Sequence, residues 1–343
     1  MQTAITIIVG MLSFGAIILV HELGHFIFAI KSNVHVSKFG IGMGPCIYKK
    51  IKNGIEYCIC VFPVGGYVQM PENQNTVPEG KIVFADAPLA SKAAILMAGS
   101  AFNIISGFIL ILLVSLAITT APTTTVSHVG PEVVFDEASR ILPGDTIVKV
   151  DNARIDTYMD FMQEVAMLNK SHDVVVERND AEITLTNIRF GVPLEENTKP
   201  SSYGIFFYSK SLTIPERLES GVETFRTISV IFFDAIVAIF SGEYQLNELT
   251  GPVGITKMIG DSIFVSFTTY GMLIALLAIN IGGINLLPFP ALDGSRVLIA
   301  SIEALIHRSI PPKVHEFIHN TGFFFLIGLI ILITYNDISS LLS

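Results

Sequence analysis

Tryptophan is absent from this sequence of 343 residues, and only three cysteines occur in it. Without tryptophan, any aromatic belt at a membrane–water interface has to consist of tyrosine and phenylalanine. Three cysteines are too few for the disulfide framework of a small secreted domain. Basic residues are also few, with 21 Lys and Arg against 30 Asp and Glu, and they form no block. We therefore expect no nucleic acid among the partners.

Charge is scarce as well, at 15% of residues, whereas 51% are hydrophobic and the mean hydropathy is +0.60. A chain of this length could form two soluble domains, but this composition favours a multi-span membrane protein. Long stretches that are almost free of charge predict four transmembrane helices. They cover residues 1–30, 93–121, 262–292 and 320–336.

A fifth apolar stretch, residues 222–240, contains three charged residues. Glu223, Arg226 and Asp234 fall on one face of a helix, and Ser241 continues that face. The pattern predicts an amphipathic helix that lies in the membrane interface, and a helix inserted into the bilayer is the alternative.

Residues 122–211 show short alternating apolar runs, which predict a small, mostly β domain. We expect strands at 146–150, 173–177 and 182–186 and a helix at 161–169. The turn Leu142-Pro143-Gly144-Asp145 and the strand after it resemble the corresponding part of PDZ domains, which bind peptide ends by strand addition. The pattern therefore predicts one inserted PDZ-like domain.

Residues 36–70, between the first two spans, predict a membrane-associated β-hairpin, because Asn53-Gly54 is a strong two-residue turn signal. Cys58 and Cys60 alternate onto one face of its second strand and are expected to be small buried residues. Glycines in such strands let another backbone approach closely, and an exposed strand edge can bind an extended peptide. The candidate substrate-binding glycines are Gly42, Gly44, Gly65 and Gly66.

The distribution of basic residues predicts the orientation in the membrane. Seven lysines lie between the first and second spans, and three basic residues lie between the third and fourth. Because positive residues mark the cytoplasmic side, both loops and the hairpin are expected there. Both termini and the PDZ-like domain are then extracytoplasmic.

The most informative motif is His21-Glu22-Leu23-Gly24-His25, which lies in the first predicted span. On a helix, His21 and His25 share one face and can bind one metal ion, with Glu22 beside them as a base. Ionisable residues inside a span are costly and are functional candidates by default. The alternative is a chance His–Glu pair in a buried helix of a soluble protein.

A catalytic zinc ion requires a third protein ligand and one open position. Asp293 follows the third span, which runs in the same direction as the first, so both sites are expected at similar depth. Pro288 and Pro290 interrupt the helix before it, which is tolerable at membrane depth where the freed backbone groups line a cavity. Alternatively, Asp293 only caps a helix that begins at Gly294, or the prolines only end the span. Weaker ligand candidates are Asp234, His307, His315 and His319.

Together these motifs resemble the site-2 protease family, and within it the bacterial regulator-of-sigma-E protease branch, which are zinc metalloproteases of family M50. The resemblance covers nearly the whole chain. One departure is Ser100, where the family usually has proline after Met-Ala-Gly. The motifs that carry the resemblance are His21-Glu22-Leu23-Gly24-His25, residues 42–45 and 65–67, Met97-Ala98-Gly99 with Asn103, and residues 285–294.

The resemblance implies that His21, His25 and Asp293 are zinc ligands, that Glu22 is the catalytic base and that Asn285 contacts substrate. It also implies cleavage of single-span proteins within the bacterial cytoplasmic membrane, by an active site near the cytoplasmic face. Anti-sigma factors after a first cleavage and remnants of signal peptides are the implied substrates. Some members carry two PDZ domains and only one fits here, so the manner of substrate gating stays open.

We therefore predict an α-helical multi-pass membrane protein with four transmembrane helices, a cytoplasmic-side hairpin and one extracytoplasmic PDZ-like domain. It is expected to be a monomer in the lipid bilayer. A non-catalytic PDZ-bearing scaffold and a metal transporter are the alternative functions. The predicted parts are a membrane core at 1–121, the PDZ-like domain at 122–211, the amphipathic segment at 212–261 and the rest of the core at 262–343.

Overall fold

A computed structural model describes residues 2–71, 77–136, 139–165, 170–192, 203–242, 251–308 and 310–342. The chain forms two units. The first combines Met1–Ala117 with Leu218–Ser343, and the second is Ile118–Arg217.

The helices and strands are, in chain order, α1 (Gln2–Lys31), β1 (Lys38–Lys52), β2 (Ile55–Gln69), α2 (Leu89–Ala117), β3 (Thr120–Val129), β4 (Thr146–Val150), β5 (Ala153–Arg154), α3 (Tyr158–Glu164), β6 (Ser171–Arg178), β7 (Ala181–Arg189), β8 (Ile205–Ser211), α4 (Ile214–Ser241), α5 (Pro252–Val265), α6 (Phe267–Asn285), α7 (Asp293–Ile306) and α8 (Pro312–Leu342).

Four helices in the described part of the chain are long and apolar enough to cross a membrane. They are parts of α1, α2, α6 and α8, over Ile5–Lys31, Leu89–Ala117, Phe267–Asn285 and Lys313–Tyr335. Together with the antiparallel sheets, these spans confirm the predicted fold class.

The third span is shorter than the predicted 262–292 because the chain contains end signals on both sides. The side-chain oxygen of Ser266 accepts a hydrogen bond of 3.0 Å from the backbone N–H of Thr269 and caps α6. At the other end α6 stops at Asn285, before two prolines that cannot continue a helix. The second span likewise stops before residue 121, because β3 begins there.

Small residues let α2 pack closely against two other membrane helices. Gly24 of α1 lies against the backbone of Ala98 in α2. On the other side, a Cβ at Gly107 of α2 would lie 2.7 Å from Cγ1 of Ile279 in α6. Such glycine contacts are a usual means of helix association in membranes. As a result, α2 connects the helix that carries the histidine motif with the helix that leads to Asp293.

The helix α4 contains the predicted amphipathic segment and is not among the four apolar helices. Side chains along the length of α4 contact α2 and α6. Gly221 lies against α2, the rings of Phe225 and Phe108 are 4.8 Å apart, and Phe232 reaches Gly283 of α6. Because α2 and α6 are membrane spans, these contacts favour the alternative in which α4 enters the bilayer, and the interfacial placement stays a prediction.

The hairpin turns at Asn53 and Gly54, as predicted, with φ angles of 53° and 77°. Residues 38–41 of β1 pair twice, with residues 56–59 of β2 on one side and with residues 66–69 on the other. Both strands therefore bend back on themselves. The returning segment, 66–69, forms an edge of the sheet, because among the described residues it pairs with β1 on one side and with no strand on the other.

Three of the predicted glycines produce these bends. Gly42, Gly44 and Gly65 have φ angles of 84°, 86° and 82°. Glycine adopts this region without the steric cost that a Cβ causes. The glycines at these positions therefore have a backbone role that does not depend on substrate.

Two of the three cysteines meet across the hairpin. Cys46 and Cys60 are directly opposite each other and form a disulfide, which the sequence does not predict. Cys58 is free and buried, and Cys60 is buried too, as expected for the face that they share.

The second unit is an antiparallel sheet with the strand order β7-β6-β4-β3-β8, and β5 pairs with β4. The three predicted strands are present as β4, β6 and β7. The helix α3 covers residues 158–164 and begins with a capping box between Thr157 and Asp160, whereas the predicted helix covered 161–169. Residues 166–169 lie outside the described residues. Phe161 of α3 is fully buried in the core, with its ring 5.3 Å from that of Phe190 and 5.1 Å from that of Phe207.

Asp145, the last residue of the PDZ-like turn, is buried and ties that turn to β6. Its two carboxylate oxygens accept hydrogen bonds from Nε and Nη2 of Arg178, at 2.7 and 2.8 Å. The backbone N–H of Leu142 donates to the same carboxylate at 2.8 Å. The hydrogen bond to Asp145 raises the pKa of Arg178. Asp145 therefore has a structural role, because it connects the turn to β6.

Candidate metal centre

The two histidines of the motif lie one turn apart on α1 and point to the same place. Both are buried, at 8% exposure each. Their Nε2 atoms are 3.1 Å apart. The helix itself produces this arrangement, because residues four apart share a face.

Asp293 completes the group from the first turn of α7. Its Oδ2 atom lies 3.0 Å from Nε2 of His21 and 3.2 Å from Nε2 of His25. The segment between α6 and α7 contains Ala291 at a φ of 76°. Gly294 lets the start of α7 pack directly against the backbone carbonyls at the end of α6. The chain reversal after α6 therefore brings a carboxylate to the histidine pair.

Among the described residues, these three side chains form a group that could hold a metal ion. Their ligand atoms all lie within 4.8 Å of one another. Ligand atoms around a tetrahedral zinc ion are roughly 3.3 Å apart, given metal–ligand distances near 2.0–2.1 Å. The separations of 3.0, 3.1 and 3.2 Å fit that requirement closely. Two imidazoles and one carboxylate are also a usual donor set for catalytic zinc.

A backbone carbonyl orients one of the histidines. Nδ1 of His25 lies 2.7 Å from the carbonyl oxygen of Ile95 in α2. The N–H at Nδ1 therefore donates to this carbonyl, which leaves the lone pair of Nε2 free for a metal.

Gly99 of α2 provides the space in which the two rings lie. A Cβ at this position would lie 2.5 Å from Nε2 of His25 and 2.8 Å from Cε1 of His21. The sequence pattern predicts no role for Gly99 itself, although Met97-Ala98-Gly99 is one of the motifs that carry the family resemblance. Its role follows from the packing of α2 on α1.

Glu22 lies beside the metal ligands and next to the hairpin. Its carboxylate is close to the backbone N–H of Val68 in β2, and both residues line the same cleft. A Cβ at Gly66 would lie 3.0 Å from the carbonyl oxygen of Gly40 and 3.4 Å from Cγ of Glu22. Gly66, which we predicted to bind substrate, therefore lies tightly against the β1 backbone and next to Glu22.

A cleft of about 200 Å³ opens at this position in the first unit. It contains the candidate base, two of the candidate ligands and a cation that sequence reasoning did not single out, Arg296. The position of Arg296, three residues after Asp293 on a helix, is the signal that could have revealed it. The lining residues are Glu22, His25, Tyr67, Val68, Met70, Ile95, Leu96, Asp293 and Arg296.

The remaining candidates lie elsewhere. Asn285 is the last residue of α6 and belongs neither to the ligand group nor to the cleft lining among the described residues. His315 lies 3.2 Å from the carboxylate of Glu303, and His307 is the C-cap of α7. The weaker ligand candidates Asp234, His307, His315 and His319 are not part of the ligand group.

Comparison with known proteins agrees with this geometry. The sequence profile of peptidase family M50 matches residues 9–329. The chain belongs to peptidase family M50. A Clostridium perfringens protein with the provisional name of a zinc metalloprotease is 32% identical over 335 residues, which cover 97% of this chain and 98% of that protein. The zinc metalloprotease RasP of Shouchella clausii is 25% identical over 96% of this chain and 98% of its own length. The provisionally named protease Eep of Enterococcus faecalis is 29% identical over 97% and 98%.

Membership of M50 and the four spans make this chain a membrane peptidase. The group of His21, His25 and Asp293 is its zinc-compatible site. The alternative that Asp293 only caps α7 is wrong, because its carboxylate lies against both histidines.

Proposed function

We propose that this M50 protein is a zinc-dependent endopeptidase that cleaves the membrane-spanning segments of single-span proteins. The observation that carries the proposal is the convergence of His21 and His25, inside a membrane helix, with Asp293 at the start of α7 and with Glu22 in the same cleft. Substrates of this kind are anti-sigma factors after a first cleavage, or remnants of signal peptides. Cleavage adds water across a peptide C–N bond and releases a carboxylate and an amine.

Each group in the cleft has a distinct role. Zinc, when bound, supplies a Lewis acid that polarises the scissile carbonyl and makes water nucleophilic at neutral pH. Glu22 takes the proton of the attacking water and passes it to the leaving amine. The backbone N–H of Val68, which lies close to the Glu22 carboxylate, would help to keep it in position for both transfers. The carbonyl of Ile95 keeps His25 in the tautomer that binds metal.

The substrate has to be extended before it can react, because a helix hides its carbonyl groups in hydrogen bonds. The edge segment 66–69 of β2 borders the cleft, since Tyr67 and Val68 line it. It pairs with β1 along one side. We propose that its other side binds the unwound substrate by strand addition, with Asn285 as a further contact to the substrate backbone.

The lysine-rich hairpin is proposed to face the cytoplasm of a bacterium. Both termini and the PDZ-like domain are then extracytoplasmic, and the metal centre lies near the cytoplasmic face. Protease protection in right-side-out and inverted vesicles tests this placement. Cleavage next to Lys49 and Lys50 is expected in inverted vesicles only, and cleavage there in right-side-out vesicles would overturn the topology.

The decisive experiment compares the purified protein with its Glu22→Gln variant, each incubated with a single-span test substrate in vesicles. We expect the variant to keep its zinc and to lose at least about a hundredfold in cleavage rate. Glu316→Gln, a change at an exposed residue of α8 outside the cleft, is the matched control and should cleave normally. Equal cleavage by the wild type and Glu22→Gln would contradict the role of Glu22. Zinc binding without any cleavage by the wild type would favour the scaffold or transporter alternative.

A further inference from the structure

Arg296 places a cation in the same cleft as the candidate base and the metal ligands. It lies in the first turn of α7, three residues after Asp293, and both side chains line the cleft together with Glu22 and His25. Residues three apart on a helix are neighbours on its surface. The helix that supplies the third ligand therefore also supplies a guanidinium group.

No side chain in the described part of the chain neutralises this guanidinium. Arg296 takes part in none of the ion pairs or side-chain hydrogen bonds found among the described residues. The carboxylate of Asp293, in the same turn of α7, is directed at His21 and His25. The second neighbour is His319 of α8, on which the charge of Arg296 acts, and a histidine offers it no negative charge. Arg296 is exposed, so its donors are free to meet a molecule that enters the cleft.

The reaction proposed above creates a suitable partner for these donors. When water adds across the C–N bond, the hydroxyl goes to the carbonyl carbon and a proton goes to the nitrogen. The acyl product then loses a proton and becomes a carboxylate. A guanidinium matches a carboxylate with two parallel N–H···O hydrogen bonds, and in the intact substrate it can donate to a backbone carbonyl.

We propose that Arg296 is a substrate-binding residue that holds the acyl side of the cleaved bond, first through a peptide carbonyl and after hydrolysis through the new carboxylate. This proposal rests on the proposed peptidase function. It assigns a partner to the one charged residue of the cleft lining that neither binds metal nor acts as a base. It also predicts that the protein retains acyl products longer than amides of the same length.

The test uses binding, so that it does not depend on turnover. The full-length, zinc-loaded Glu22→Gln protein is titrated with fluorescent peptides that copy the amino-terminal half of the test substrate's membrane segment. These peptides end in either a carboxylate or an amide. We expect the carboxylate form to bind at least about tenfold more tightly, as for a charge-assisted pair. Addition of Arg296→Gln should reduce the ratio severalfold in the zinc-loaded protein and to near one after zinc removal.

Further variants separate charge, hydrogen-bond geometry and the metal. Arg296→Lys keeps the charge and loses the planar fork, so an intermediate ratio is expected; it also serves if the glutamine variant is unstable. Arg308→Gln removes an exposed arginine outside this cleft and should leave the ratio unchanged. The titration is repeated after zinc removal, because zinc also attracts a carboxylate. The carboxylate preference that remains without zinc is the contribution of Arg296.

An unchanged carboxylate preference in Arg296→Gln would overturn the proposal, and so would its equal loss in Arg308→Gln. Failure of the proposed function has a different signature, namely no cleavage of the test substrate by the wild type. In the active protein, product inhibition by the carboxylate peptide should be weakened by Arg296→Gln, whereas zinc content should not change.

Discussion

Gly99 and His25 are in direct contact, because a Cβ at position 99 would lie 2.5 Å from Nε2 of His25. The same Nε2 atom of His25 lies 3.2 Å from Oδ2 of Asp293. The α2 backbone thus forms one wall of the metal site, and only a glycine leaves room for the rings. This contact makes the packing of α2 on α1 part of the chemistry.

Gly99→Ala should therefore displace His25 and weaken zinc binding. We expect a loss of at least about tenfold in zinc affinity, the usual scale for changes around metal ligands, with a parallel loss of cleavage. Zinc content after dialysis against a weak chelator measures the effect. Gly328→Ala in α8, where a Cβ would meet nothing within 4 Å, is the control. Full zinc content in Gly99→Ala would show that the rings tolerate a methyl group.

Asp293→Asn should lower zinc content, because the neutral amide is a much weaker ligand than a carboxylate. Two histidines remain, so we expect zinc that is lost readily to a chelator and cleavage that is abolished. Metal analysis of the purified variant checks this, with Asp261→Asn at an exposed position of α5 as the control. Unchanged zinc content would remove Asp293 as a ligand.

Gly66→Ala should reduce cleavage without affecting zinc. The added methyl group would lie 3.0 Å from the carbonyl oxygen of Gly40 in β1, which has to give way, and in ordinary contact with Cγ of Glu22 at 3.4 Å. The 66–69 segment should then shift relative to the carboxylate of Glu22. We expect a lower kcat, because the base shifts relative to the metal ligands, together with a higher KM, because the 66–69 edge is the proposed substrate-binding strand. A rise in KM alone would instead support direct substrate contact at Gly66.

Asp145→Asn should destabilise the second unit, because it leaves the guanidinium of Arg178 beside a neutral amide. Breaking a largely buried ion pair costs about 3–5 kcal/mol. Hydrogen exchange of β4 and β6 in the full-length protein measures this loss. Asp156→Asn breaks the exposed pair with Arg154, and a much smaller loss is expected there because solvent screens exposed charges. Similar exchange in both variants would contradict the structural role of Asp145.

Much of the site was predictable from local pattern. The spacing of His21 and His25 is a helical repeat, and the predicted common direction of the first and third spans led to the expectation that Asp293 lies near them, as it does. The Asn53-Gly54 turn also formed as predicted. The third span was predicted too long, because a count of uncharged residues does not register the cap at Ser266. The disulfide of Cys46 and Cys60 depends on the bend of the hairpin, which no local pattern reports.

The sequence by itself determined the candidate metal ligands, the candidate base and the four apolar helices that could cross a membrane, since helical spacing and uncharged runs are local properties. Only the tertiary structure decided how these residues meet. His21 and Asp293 are 272 positions apart, and His25 and Ile95 are 70 apart. The room at Gly99, the closeness of Val68 to Glu22 and the position of Arg296 in the cleft depend on the packing of whole helices and strands. A linear pattern does not encode such contacts, because they arise from the shapes of surfaces that meet only after folding.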